Sequence, residues 1–266
     1  MDKNQPIEKV KLDNIKNIII IASGKGGVGK STVAVGLAMS LAAEGYATGL
    51  LDADIYGPSI PMLFNLQDER PIVTERDGKP RMQPIVKFGI KLMSIGFFVE
   101  PGQAVLWRGP MASNGLSQLV NDTDWGELDY LIIDTPPGTG DIHITLLQKY
   151  FIAGGIIVTT PQQVALYDVR KAIAMFNSEY VAVNIFGVVE NMSWFTPSKH
   201  PDEKYYLFGK GGGELLSQEF GIPLLSQIPL NEKLCDSCDA GKLYEFFADN
   251  AVKSAFNQLV KGIIKN

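Results

Sequence analysis

Eight residues, Gly24-Lys25-Gly26-Gly27-Val28-Gly29-Lys30-Ser31, fit the pattern G-x-x-x-x-G-K-[ST] and carry the most legible chemistry in the chain. Glycines without side chains let backbone N–H groups close around a phosphate. Lys30 is placed to reach the outer phosphates of a nucleotide, and the Ser31 hydroxyl, followed by Thr32, to reach a magnesium ion. A second lysine, Lys25, sits inside the loop where most such motifs do not need one, and points to a site completed by a partner subunit. Two acidic segments could complete phosphoryl transfer to water. Leu51-Asp52-Ala53-Asp54 ends an apolar run with two carboxylates, and Leu131-Ile132-Ile133-Asp134 ends another with one able to hold magnesium directly or through water.

The elements around these residues support that chemistry. Asn17 to Ala22 is a short apolar run that reads as a buried parallel strand, and Ser31 to Glu44 has helical spacing that stops at Gly45. The glycines therefore join a strand to a helix whose positive end faces the same phosphate. Strands are predicted near 17–22, 47–52, 129–134, 155–160, 183–189 and 223–227, alternating with helices over 30–44, 109–120, 141–150, 163–178, 210–219 and 243–264. Such alternation builds right-handed βαβ units. The expected fold class is α/β, one doubly wound, mostly parallel sheet flanked by helices. Ligands bind such sheets at the carboxyl ends of the strands, where both acidic segments fall. The segment 71–95 breaks the rhythm and predicts one β-hairpin inserted at the edge, turning at Arg76 to Pro80. Residues 1–16 read as a flexible arm and 17–266 as the ATPase domain.

With 266 residues, 45% of them hydrophobic, the chain can bury one sizeable core. A net charge of −5 gives no overall field favouring nucleic acid or an anionic membrane. The N-terminus is polar rather than a signal peptide, and there is no run of 18 apolar residues, so a cytoplasmic protein is expected. The C-terminal segment has an apolar stripe that suits packing on the sheet better than lying on a membrane, because its positive face is sparse.

Lys-Gly-Gly-Val-Gly-Lys-Ser-Thr at 25–32 resembles the deviant Walker A motif shared by MinD, ParA and the nitrogenase iron protein. The wider set comprises DADIYGPSIP at 52–61, WRGPM at 107–111, DTPPGTGD at 134–141, TTPQQVALYDV at 159–169 and Glu190-Asn191-Met192-Ser193. Together these blocks resemble the Mrp/ApbC-type iron–sulfur cluster carrier ATPases, over residues 17 to 264. Many members carry an extra small domain before the ATPase core, which this sequence does not contain. The resemblance implies a P-loop fold of the MinD and nitrogenase iron protein type, and a homodimer sandwiching two ATP molecules with Mg2+, in which Lys25 of one subunit reaches the nucleotide of the other. It implies slow, dimer-dependent hydrolysis. Clusters would pass to apoprotein clients with the help of cluster-assembly proteins, without nucleic acid and without stable membrane association. Within it, Asp54 is expected to orient or deprotonate the attacking water, Asp52 and Asp134 to lie near magnesium, Asn191 to contact adenine, and the run from Pro136 to Asp141 to act as a switch loop, with Asp141 capping the next helix.

The chain departs from the pattern at the cluster site. Members typically place a Cys-x-x-Cys pair soon after Asn-Met-Ser, so that a dimer holds one bridging [4Fe–4S] cluster. Here Trp194 to His200 follows, without cysteine, and the two cysteines of the chain are Cys235 and Cys238. They are the candidate cluster ligands, against ordinary loop and helix-flanking cysteines. Two other functions stay open beside the carrier: a MinD/ParA-like spatial-organising ATPase, and a family ATPase adaptor that has lost cluster binding. Trp194, Phe195, Tyr205, Tyr206 and Phe208 form either a docking surface or pins for a long loop, with the second favoured.

Overall fold

The computed structural model describes residues 9–76, 78–99 and 109–265. Its centre is β1 (Ile15–Ser23), whose run of isoleucines is buried on both faces. Ile19 and Ile21 enter one core while Ile18 and Ile20 enter the other, as the two-residue period of a strand requires. An apolar run with no polar alternation is thereby explained: both sheet faces are covered by helices.

Chain order continues with α1 (Lys30–Ala43), β2 (Thr48–Asp52), α2 (Ile60–Leu63), β3 (Val73–Arg76), β4 (Lys79–Met82), β5 (Ile85–Lys87) and β6 (Ile90–Ser94). After these come α3 (Pro110–Asn121), β7 (Leu128–Asp134), α4 (Asp141–Lys149), β8 (Gly154–Thr159), α5 (Gln163–Phe176) and β9 (Ile185–Phe195). The chain closes with α6 (Gly212–Phe220), β10 (Leu224–Leu230), α7 (Glu232–Asp239) and α8 (Asn250–Ile264). Eight strands form one sheet in the order β10-β9-β8-β1-β7-β2-β6-β5, parallel except for the β5–β6 pair. Helices α1 and α8 pack in one core, and α3, α4, α5 and α6 line the other. The doubly wound α/β sheet is the one expected.

Four details differ from the sequence reading. The segment 71–95 makes two hairpins, not one. β3 and β4 form a separate two-stranded sheet, while β5 and β6 extend the main sheet, with β6 lying parallel to β2. Pro84 splits the run from Met82 to Phe88, and Phe88-Gly89, both at positive φ (53° and 76°), form the two-residue turn that returns β6. Neither α7 nor the one-turn α2 was expected. β9 extends to Phe195, well past the predicted end at 189, because Phe195 and Tyr205 exchange backbone hydrogen bonds of 2.8 Å in each direction. The aromatic stretch therefore ties its loop to the sheet, with Lys204 stacked 4.1 Å from the Trp194 ring.

The last helix begins at Asn250 rather than 243, capped by Asp249, whose carboxylate accepts from the N–H groups of Ala251 and Val252. Its apolar stripe, including Phe256, Leu259 and Val260, is buried in the core with α1. Each such side chain contributes roughly 1.5–3 kcal/mol through burial. Among the described residues, no helix is long and apolar enough to cross a membrane. At the other end, Val10 bridges to Tyr150 in parallel register.

Candidate functional site

The strand register brings the two acidic segments together. Ile21 pairs with Asp134 across β1–β7, and Asp52 pairs with Asp134 across β7–β2. The end of β1 runs directly into the glycine loop, so loop and carboxylates meet at the carboxyl edge of the sheet. Gly27 and Gly29 both adopt φ of 80°, a region that a Cβ disfavours. Gly24 has a different constraint: a Cβ there would lie 2.3 Å from the backbone of Asp168, so α5 packs directly on the loop. A Cβ built on Gly27 would meet nothing within 4 Å beyond its chain neighbours, so the positive φ rather than crowding is what favours glycine there. Around the loop is a cavity of about 270 Å³ whose walls include Lys25, Gly26, Gly27, Val28, Gly29, Lys30, Ser31, Thr32, Asp54 and Pro137.

Lys30 is 7% exposed, and its Nζ donates to Asp134 Oδ1 at 2.6 Å. Asp134 is fully buried, and its other oxygen, Oδ2, has no hydrogen-bond partner. An unpartnered buried carboxylate oxygen on Asp134, at the strand edge that carries the loop with Ser31, fits a hard divalent cation, directly or through water. The open cradle of backbone amides fits the phosphates that would share that cation.

Asp52 is engaged differently. Its Oδ2 accepts from the N–H groups of Ser59 and Ile60 and from the Ser94 hydroxyl, each at 3.0 Å, and its Oδ1 accepts from the Asp54 N–H at 3.2 Å. It therefore fastens the loop after β2 to α2 and β6. Burial, then the Asp134 charge, raises its pKa, while these donors and Lys30 oppose the rise. Asp54 lies further out, half-buried, with Oδ1 accepting from Gly57 N–H at 3.2 Å. Burial raises its pKa as well, partly offset by Lys30. The loop after β7 is fixed to β1 at two points, with Thr135 Oγ1 donating to the Ile21 carbonyl at 2.8 Å and Gly138 N–H to the Ser23 carbonyl at 2.9 Å. Loop movement beyond those points would be felt directly by the phosphate cradle.

A family model described as ParA, NUBPL iron-transfer P-loop NTPase, matches residues 14–264. The chain belongs to that family. A relative from Synechocystis named iron-sulfur cluster carrier protein is 48% identical over 88% of this chain, which spans 66% of the relative's length. Among solved structures, a nucleotide-binding protein in complex with ADP from Archaeoglobus fulgidus superimposes with a TM-score of 0.78 at 37% identity, covering 92% of this chain and 93% of that one. The cell division ATPase MinD of Pyrococcus furiosus matches with a TM-score of 0.63 at 19% identity, over 94% and 99%, which shows a shared fold.

In this NTPase the remaining expected site residues lie at varied distances from the cradle. Asn191, on β9, is 5% exposed, and its side-chain N–H donates to the Val28 carbonyl at 2.9 Å. It braces the loop from behind; a Cβ on Gly29 would meet that amide nitrogen at 2.2 Å. Lys25 lines the cavity with its ammonium in no hydrogen bond or ion pair among the described residues. Asp141 is the first residue of α4, and Gly140 occupies the capping position without any side-chain cap, so the expected capping role is corrected. Trp107 and Arg108, part of one family-like block, lie outside the described residues.

Cys235 and Cys238 lie one helical turn apart on α7, the first exposed and the second buried. Burial pushes the Cys238 thiol up to about 11, against the pull of the Thr32 hydroxyl. Burial also raises Cys235, together with the charges of Asp239 and Asp236. Among the described residues, no three His, Cys, Asp or Glu side chains gather to hold a metal ion. His200 is exposed on its loop, 3.4 Å from Glu203. His143 is fully buried in the first turn of α4, with neither ring nitrogen in a hydrogen bond of normal geometry. Ser94 and His143 are the residues at this edge that the sequence reading did not assign to the site. A serine ending an apolar strand was the available signal for Ser94; nothing local marked His143.

Proposed function

We propose that this protein is an ATP-hydrolysing iron–sulfur cluster carrier that works as a homodimer and passes clusters to apoprotein clients. The observation that carries the hydrolytic half is the convergence of the glycine cradle, the Lys30–Asp134 pair and Asp54 at one strand edge. The carrier half is supported by family membership and by the name of the Synechocystis relative. Because the chain spans 66% of that relative, the whole protein's clients and activity belong to this proposal. The MinD/ParA-like alternative rests on likeness at 19% identity, which concerns the fold alone.

In the proposed reaction, loop amides and Lys30 hold the β- and γ-phosphates of ATP; Ser31 and Asp134 would hold Mg2+, which would supply charge neutralisation at the phosphate oxygens. Asp54 orients a water for in-line attack. The water oxygen bonds to the γ-phosphorus as the bond from phosphorus to the bridging oxygen breaks, its electron pair leaving on ADP. The released proton passes to Asp54. Asp52 holds the loop after β2 in place while this happens, and Asn191 keeps the cradle closed from behind, with the rest of its amide left for an adenine edge. Lys25 from the second subunit adds positive charge to the same oxygens, as an arginine finger does. Lys25→Ala is expected to keep ATP affinity within a few-fold while turnover drops by about 10³-fold. Unaltered steady-state phosphate release by that variant would remove the trans-lysine from the model.

The thiols favour a second reading. Both are held towards the protonated form, whereas cluster iron binds thiolate. An ATPase adaptor that hydrolyses ATP without holding a cluster on these cysteines fits that chemistry. Anaerobic reconstitution with iron and sulfide, iron counting and transfer to an apo-enzyme separate the two. The carrier reading expects about two irons per subunit, for one four-iron cluster shared by a dimer. It also expects loss of that iron in the Cys235→Ala/Cys238→Ala double variant. Wild type that binds no iron would leave the adaptor.

A further inference from the structure

Beyond the phosphate cradle lies a second and larger cavity, of about 560 Å³, whose walls include Asp54, Tyr56, Ala112, Pro137, Asp141 and His143. It shares Asp54 and Pro137 with the cradle, so the two spaces adjoin at those residues. Three features of the larger cavity suit an anion. The first turns of α3 and α4, of 12 and 9 residues, both contribute to its wall through Ala112, Gly140, Asp141 and Ile142. Apart from Pro110, which has no N–H, the leading amides of these turns have no acceptor in a preceding helical turn, and both helix starts carry the positive end of the dipole. His143 belongs to the same wall and is 0% exposed; neither ring nitrogen makes a hydrogen bond of normal geometry, the Gly140 backbone lying near enough only to favour its protonated form slightly against the effect of burial. A buried imidazole whose nitrogens lack a well-formed hydrogen bond is costly unless a ligand supplies one.

We propose that this cavity is a phosphate compartment, in which His143 and the amino ends of α3 and α4 hold inorganic phosphate after it leaves the nucleotide. The inference rests on the hydrolytic reading above, and it deepens that reading by giving the product a place to go. Two carboxylates in the wall, Asp54 and Asp141, oppose an anion. The reaction removes part of that opposition, because Asp54 has just accepted the proton of the attacking water when phosphate forms. Lys30, close enough to disfavour protonation of His143, adds positive potential from the cradle side. The imidazole therefore acts as a neutral donor. A protonated one is unnecessary here, since burial holds His143 well below its usual range, at about 4.

The test uses inorganic phosphate as probe on the full chain with MgADP bound, read by phosphorus line broadening. Wild type should bind phosphate, and His143→Leu, which keeps the volume but not the ring nitrogens, should weaken that binding at least tenfold with ADP affinity unchanged. His143→Gln, which restores a donor and an acceptor, should recover part of it and guards against a mere folding defect. Phosphate binding equal to wild type in the folded His143→Leu variant, or no binding by wild type, overturns the compartment. Single-turnover hydrolysis then identifies the source. If the phosphate comes from ATP, its release to a phosphate sensor lags cleavage in wild type, and the lag disappears in His143→Leu. Equilibrium binding without a lag supports the site and assigns its phosphate to solution. Absence of ATP cleavage by wild type defeats the hydrolytic reading alone, and the equilibrium measurement still decides whether the compartment exists.

Discussion

Lys30→Ala is expected to reduce ATP turnover by about 10³-fold or more and also to destabilise the fold. The two effects have different origins. Turnover falls because the lysine aimed at the outer phosphates is gone, and no other cation among the described residues lies inside the cradle in the same subunit except Lys25. Stability falls because Lys30 is the only hydrogen-bond donor to the Asp134 carboxylate among the described residues, at 2.6 Å, and Asp134 is fully buried with its second oxygen already unpartnered. Removing one member of a buried ion pair typically costs about 3–5 kcal/mol, chiefly because it leaves an uncompensated charge. The double substitution Lys30→Met/Asp134→Asn should regain most of that stability, since a neutral pair of similar volume needs no counter-charge, yet it should recover no turnover. Denaturant midpoints and phosphate release on the three proteins separate the effects. A Lys30→Ala protein as stable as wild type would mean that solvent or another group replaces the ammonium. A protein that still turns over ATP normally would sink the assignment of Lys30 to the phosphates.

The same pair shows what was legible in the sequence. The glycine loop, its flanking strand and helix, and the placement of Asp52 and Asp134 at strand ends followed from local pattern, because each is fixed by the few residues on either side of it. What escaped was set by pairing across the sheet. β6 lies beside β2 only because the Phe88-Gly89 turn and Pro84 redirect a run that looks locally like one alternating strand. Ser94, at the end of β6, then reaches Asp52 and changes that residue from a free carboxylate into an anchor. In the same way α7 lay hidden in a short segment of weak helical pattern. Its start is nonetheless written locally, since the Asn231 side chain accepts from Leu234 N–H at 3.0 Å. Placing Cys238 against the core follows from that helix, and so does its raised pKa; neither could be read from the spacing of two cysteines. His143 is the clearest case of all, since its environment comes from three separate segments that meet only in the folded chain.

Asp54→Asn is the substitution that most directly tests who activates the water. Among the carboxylates at the strand edge, Asp52 has both oxygens engaged by donors and Asp134 is paired to Lys30, which leaves Asp54 half-buried between the cradle and the larger cavity, held among the described residues by the backbone N–H groups of Gly57 and Tyr56 alone. An asparagine keeps the shape and an acceptor for those N–H groups but cannot take a proton. ATP affinity should therefore stay within a few-fold of wild type while turnover drops by about 10²- to 10⁴-fold, the range for a lost general base. The pH profile carries the sharper signature. Burial raises the Asp54 pKa, and the ionised form is the active one, so wild-type turnover should rise with pH along an acid limb displaced upward from the ordinary carboxylate range. As pH falls through the raised pKa, activity is lost; in Asp54→Asn that limb should be absent from the residual rate. Turnover that keeps the wild-type limb after Asp54 is replaced would move the proton to another group. The remaining carboxylate of the larger cavity, Asp141, would then be the group to replace next, since it shares that cavity with Asp54 and opens α4 beside the same switch loop.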